Sequence, residues 1–243
     1  METRSSPSAS DGAVSAKDAM RQRILETTDR LFYGHGIRAV GVDTVAAEIG
    51  ISKRTLYNYF PSKDALIVAY LSRRLRPAPF TDAPPAEQIL GDFDRMERNF
   101  ARPGYRGCPF VNAVAEMGDP AHGANKIAVA FKEQRRLWFR DLLRRLEVAD
   151  PDGLSMQLML LVDGAIAAAL VRGDPRMARA AREAARVLLA AAGVDVGSTN
   201  AGGASLRDAS ARSADPLPVQ SNPARSNRRK KTRHGAARPQ HPA

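Results

Sequence analysis

The sequence predicts an all-α protein: an N-terminal three-helix head of helix-turn-helix type, set on a larger helical body. Three observations carry that expectation. Apolar residues recur at helical spacing in segment after segment up to residue 192, and no stretch alternates in the way that marks a strand. Capping residues, prolines and glycines punctuate the segment ends. Finally, Val42 to Leu66, VDTVAAEIGISKRTLYNYFPSKDAL, reads as two short helices joined by a tight turn, with another helix starting just behind.

The first helix is expected after Ser15, where Asp18 gives a capping-box-like pattern, and runs through Met20, Ile24, Leu25, Thr28, Leu31 and Phe32 to Gly34 or Gly36. Residues 1–15 ahead of it carry acidic side chains and no apolar run, so a floppy arm is expected there rather than a signal peptide. In the second helix Val42, Val45, Ala46 and Ile49 fall at i, i+3, i+4, i+7, the mark of one buried face. Gly50 follows, free to take the left-handed conformation that ends a helix. Ile51 plugs the turn, and Ser52 caps the third helix by accepting a bond from a free backbone N–H. Leu56 and Phe60 point to the core, Pro61 stops the helix, and Ser62 with Asp64 suits the start of a fourth helix over 63–75.

Pro77, Pro79, Pro84 and Pro85 mark an irregular joint. Beyond it, helices are expected over 86–101, 109–117, 125–146, 154–172 and 175–192, with GDPAHG (118–123) and DPDG (150–153) as breaks. The organisation expected is therefore an arm (1–15), a helix-turn-helix head (16–76), a larger helical body (77–192) and a disordered basic tail (193–243). The stretch LSMQLMLLVDGAIAAALV (154–171) is apolar enough to suggest a membrane span, but Gln157 and Asp163 interrupt it and its alanines suit close packing in a bundle, so no membrane is expected.

A helix such as the third fits the major groove, where all base pairs are distinguishable. Lys53 and Arg54 lead it. Arg54 suits guanine O6 and N7, Asn58 suits adenine or a phosphate, Thr55 suits a thymine methyl, and the hydroxyls of Tyr57 and Tyr59 suit phosphate oxygens. Lys63, with the free N–H groups at the start of the fourth helix, suits one phosphate, and Arg38 is a further backbone candidate. In a random helix Lys53, Arg54 and Lys63 would be no more than a solvated charged face, and Tyr57 suits the core as well as DNA.

These residues, TLYNYFPSKDAL preceded by GVDTVAAEIGIS, strongly resemble the DNA-binding domain of the TetR (tetracycline-repressor) family of bacterial regulators, over roughly residues 16–75. RGCPFVNAVAEM (106–117) is similar to a segment seen in one subgroup of that family. The resemblance implies a cytoplasmic, homodimeric transcription regulator, a repressor on a palindromic operator, in which Thr44 bonds a phosphate. It also implies a small molecule that binds the body, moves the fourth helix and pulls the two heads out of register, and a four-helix bundle made by the last two helices with those of the mate. Leu158, Leu161, Ala165, Ala168 and Leu188 are the candidates for that dimer surface. Phe93, Met96, Phe100, Phe110 and Trp138 lie between the fourth helix and the dimer helices, and suit an ordinary core as well as a pocket for a small apolar or aromatic effector.

Cys108 completes the candidate ligand set. It precedes Pro109 and has Arg106 nearby, which suits a reactive thiolate, though a lone cysteine is more often a small buried hydrophobe. A single cysteine excludes an intramolecular disulfide and fits a reducing compartment. The four histidines are scattered, no catalytic or P-loop motif occurs, and neither an enzyme nor a cofactor or metal is expected. The net charge of +11 suits nucleic acid, but nine Lys/Arg against three Asp/Glu place +6 of it beyond residue 192, with the cluster NRRKKTRH (227–234). The rival expectations are a helical interaction protein without specific DNA reading, and a non-specific binder that grips DNA through the tail.

Overall fold

A computed structural model describes residues 9–76 and 81–196. Its nine helices there are α1 (Ala9–His35), α2 (Val42–Ile49), α3 (Lys53–Tyr59), α4 (Lys63–Arg74), α5 (Pro85–Phe100), α6 (Pro109–Met117), α7 (Gly123–Arg145), α8 (Pro151–Arg172) and α9 (Met177–Ala191). No strand occurs among the described residues, and the fold is all-α as the sequence predicts.

Two hydrophobic cores form. The first gathers Ile24 and Phe32 of α1, Val45 of α2, Leu56 of α3, and Leu66 and Tyr70 of α4. It does not close on the head alone, since Cys108, Phe110 and Ala113 at α6 and Ala124 and Ala128 of α7 belong to it. The second joins Phe93 of α5, Phe139 and Leu143 of α7, Leu158 and Val162 of α8, and Ala185 and Leu189 of α9. Thus α7 is a shared spine, its N-terminal half in one core and its C-terminal half in the other. Asp92 of α5, almost buried, pairs with Arg135 of α7 and with Arg95 at 2.8 Å, so its charge is compensated rather than stranded.

Several boundaries differ from expectation. α1 begins at Ala9, six residues before Ser15. No proline lies between Ser8 and Ser15, and Ala9, Ala13 and Ala16 favour helix, so the capping-box pattern at Ser15 does not act as a start. The DPDG segment is the first turn of α8 and not a separate turn: the Asp150 carboxylate accepts from the Gly153 N–H at 2.8 Å and Pro151 takes the first helical position. α7 starts at Gly123, its N-cap being His122, whose Nδ1 accepts from the Ala124 N–H at 3.1 Å. The joint prolines Pro77 and Pro79 and the tail from residue 197 onward fall outside the described residues, as do residues 1–8 of the arm. The expected tail start is overtaken by Val194, which is buried against α9 and belongs to the second core.

Candidate nucleic-acid interface

The turn between α2 and α3 is fixed by three local devices. Gly50 stands at φ +79°, and its N–H together with that of Ile51 returns to the Ala46 carbonyl at 3.0 Å each. Ser52 caps α3, accepting from the Thr55 N–H at 3.0 Å. Leu56 and Phe60 are fully buried and clamp α3 to α1 and α2. With that face committed, the opposite face is forced outward.

Lys53, Arg54, Tyr57 and Asn58 are exposed there, while Thr55 and Tyr59 are half-buried. Arg54 and Asn58 stand four residues apart on one helical face. Neither has a hydrogen-bond or ion-pair partner among the described residues, so both donors are free for an incoming ligand. The Thr55 hydroxyl lies 2.8 Å from the Ser52 hydroxyl and is spent on the cap, which leaves its methyl group for contact. Lys53 donates to Asp43 of α2 at 3.0 Å, and that hydrogen bond, ahead of the charge attraction to Asp43, raises its pKa. Both partners are open to solvent, so the pair is weak and yields to a phosphate.

Thr44 is exposed in the first turn of α2. Lys63 opens α4 beside Ser62, whose hydroxyl accepts from the Ala65 N–H at 3.0 Å. Arg38 is exposed, and its backbone N–H is held by the Glu116 carboxylate at 2.8 Å. The nine expected DNA residues therefore fall on α2, α3, the start of α4 and the α1–α2 loop, and eight of them come from the segment 42–63 or its edge.

The residues that brace this surface were not legible beforehand. Arg23 donates to the Ile49 carbonyl at 2.9 Å and so caps the end of α2. Arg21 lies 4.5 Å from the Phe60 ring centroid. Glu116 reaches from α6 to the loop before α2. Tyr33 donates to the Gly107 carbonyl at 3.1 Å and accepts from the Arg106 N–H at 2.9 Å. At α4, a Cβ on Gly123 would sit 2.8 Å from Val68, so the bare backbone lets α7 approach α4. These are single contacts between residues far apart in sequence, and no local pattern announces them.

The candidate effector residues do not converge. Phe93, Met96 and Phe100 are buried in the second core with Trp138 packed against it, whereas Cys108 and Phe110 belong to the first. An open groove of about 500 Å³ lies instead between α6, α7 and α8, bounded by Val111, Val129, Met156 and Leu160, and none of the six candidates lines it. Cys108 is buried and makes no side-chain capping bond at α6, which fits the packing reading of that residue better than the reactive one.

The dimer candidates differ in exposure. Leu158 and Ala165 face inward, with exposures of 0% and 5%, and Leu161, Ala168 and Leu188 are half-buried. The outward face of α8 is made by Met156, Leu160, Leu170 and Val171, with Val187 on α9. α8 is apolar on all sides, so its sequence alone does not say which stripe turns in.

Residues 24–70 match the family described as bacterial regulatory proteins, tetR family. A Streptomyces avermitilis protein assigned to the TetR transcriptional regulators has a similar structure at 33% identity, with a TM-score of 0.65, over 72% of this chain and 98% of that one. The chain belongs to the TetR family. A second TetR-family regulator, from Streptomyces coelicolor, matches at 31% identity and a TM-score of 0.65 over 71% of this chain and 95% of its own. The HTH-type transcriptional regulator YjdC of Escherichia coli is 26% identical over 62% of this chain and 83% of its length. This TetR-family chain is thus a transcription regulator with a helix-turn-helix for DNA, and not an enzyme.

Proposed function

We propose that the chain is a cytoplasmic, ligand-released repressor that binds a palindromic operator as a homodimer. The observation that carries this reading is the outward pair Arg54 and Asn58 on α3, exposed and unpartnered, on a helix whose other face is locked by Leu56 and Phe60. Such a pair suits the edges of guanine and adenine in the major groove. Lys53, Tyr57, Tyr59, Lys63, Thr44 and Arg38 surround it and suit the flanking phosphates, which position without specifying.

A seven-residue reading helix contacts few bases, and two copies on half-sites roughly one helical turn apart supply the missing discrimination. The exposed apolar stripe of α8 with Val187, continuous with the groove at Met156 and Leu160, is the surface for the mate. α4 is the natural transmitter. Its start carries Lys63, its middle meets Gly123 of α7 through Val68, and its end is tied to α1 by Arg73–Glu26 at 2.9 Å and Arg74–Asp29 at 2.5 Å. A small molecule that changes the packing of α4 on α7 therefore moves Lys63 and α3 relative to the groove.

Selection of bound sequences from random duplex DNA tests the reading. Wild type is expected to enrich a palindrome, and Arg54→Ala to lose discrimination at one base pair in each half-site, by about 1–3 kcal/mol. Failure to enrich any motif, or an identical motif in Arg54→Ala, sinks it.

A further inference from the structure

We propose that the cavity between α1, α4, α6 and α7 binds an amphipathic aromatic anion, a flat ring system carrying a carboxylate. The sequence pointed to a small apolar or aromatic effector, because its candidate ligand residues form no cluster of charges. The fold creates one. A cavity of about 430 Å³, a size usual for small-molecule sites, is lined by Arg73, Arg74 and Arg76 at the end of α4 and by Phe110 and Phe131.

The charges there are unequal. Asp29 takes two bonds from Arg74, at 2.5 and 2.7 Å, and is saturated by it. Glu26 takes one bond from Arg73 Nη2 at 2.9 Å. Arg73 Nη1 is buried with no acceptor, and Arg76 has no hydrogen bond or ion pair among the described residues. Three guanidinium groups thus face two carboxylates, and a buried N–H is left to be satisfied. A carboxylate matches the planar donor edge of a guanidinium with two parallel bonds. In the same lining, buried Phe110 and half-buried Phe131 stack with centroids 4.0 Å apart and planes 16° from parallel, so Phe131, backed by Phe110, gives an aromatic surface against which a ring can pack.

The position gives such a ligand leverage. Arg73 belongs to α4 and Arg76 follows its end, while Phe131 belongs to α7, so a molecule held by both sides fixes the spacing of the two helices whose movement controls Lys63. This part rests on the effector reading above, whereas the site itself does not.

The test uses the full chain, with naphthalene-2-carboxylate as probe and the uncharged, similarly shaped naphthalene-2-carboxamide beside it, by titration calorimetry. The carboxylate is expected to bind wild type about tenfold more tightly than the amide, the size expected of a charge-assisted pair. Arg73→Gln with Arg76→Gln is expected to erase that preference, and Arg98→Gln, a charge removed from exposed α5 surface, to keep it. Should the double variant fail to fold, exposed Arg76→Gln alone is expected to weaken the preference severalfold. Equal affinity for the two probes, no binding of either, or a preference that survives loss of the arginines overturns the site. Release of the selected operator is followed in parallel. Carboxylate bound through the arginines with DNA still held sustains the site and overturns ligand release instead.

Discussion

At the scale of single residues, burial assigns roles more sharply than residue type does. Arg54 and Leu56 are two positions apart, yet one is exposed and the other wholly buried, so a change at each tests a different property. Leu56 reports on folding, Arg54 on recognition. Gly107 shows how a loop residue with no functional group becomes indispensable. It stands at φ +77°, a Cβ there would lie 3.1 Å from Leu170, and its carbonyl accepts the Tyr33 hydroxyl. Gly107→Ala is expected to destabilise the chain by about 1–3 kcal/mol, from the left-handed backbone together with overpacking. Urea unfolding measures it, and a change under about 0.5 kcal/mol, the range of a neutral surface substitution, would contradict the account. The exposure of Arg54 and Asn58 was legible because the caps and the buried Leu56 and Phe60 already define the outward face of α3. Glu116, Tyr33 and Arg106 were not legible, because each acts on partners more than 70 residues away.

At the scale of elements, α3 cannot stand alone. Seven residues form too few intrahelical bonds to offset nucleation, so its order comes from the Ser52 cap, the Gly50 turn and the burial of Leu56. Ser52→Ala is expected to cost about 1 kcal/mol and to lower operator affinity more than total stability suggests, since fraying begins at Lys53 and Arg54. Thermal unfolding and operator titration together check this, and an unchanged melting temperature refutes it. The short helices were legible to within a residue, because caps and prolines bound them on both sides. α1 was less so: its start depends on the absence of a stop. α8 presents the opposite problem. Its ends are plain, with Pro151 at one and Gly173 at the other, but its apolar residues surround it and leave the buried face undefined.

At the scale of the whole molecule, α7 joins two cores, and the head is finished by residues of α6 and α7 rather than by its own helices. That continuity is the packing path along which the proposed effector signal would pass from the body to α3. It also separates two kinds of α8 variant. Leu158→Ala, inside the second core, is expected to cost about 2–5 kcal/mol of stability and leave assembly intact. Leu160→Asp, on a side chain 66% exposed, is expected to leave the fold intact and dissociate the proposed dimer, with loss of operator binding. Sedimentation and denaturation of both variants decide it, and a dimeric Leu160→Asp protein would move the interface elsewhere. The sequence by itself determined the all-α class, the order of the helices, the ends of the short ones, and the helix-turn-helix that places the chain in the TetR family, because periodicity, caps and turns act between neighbours along the chain. Only the tertiary structure decided which stripe of α8 turns outward, that the aromatic residues divide between two cores instead of enclosing one pocket, and that three arginines at and just past the end of α4 line one cavity with two stacked phenylalanines. Those outcomes depend on packing between distant segments, and an all-round apolar helix or a scattered set of aromatics carries no local mark of its eventual neighbours.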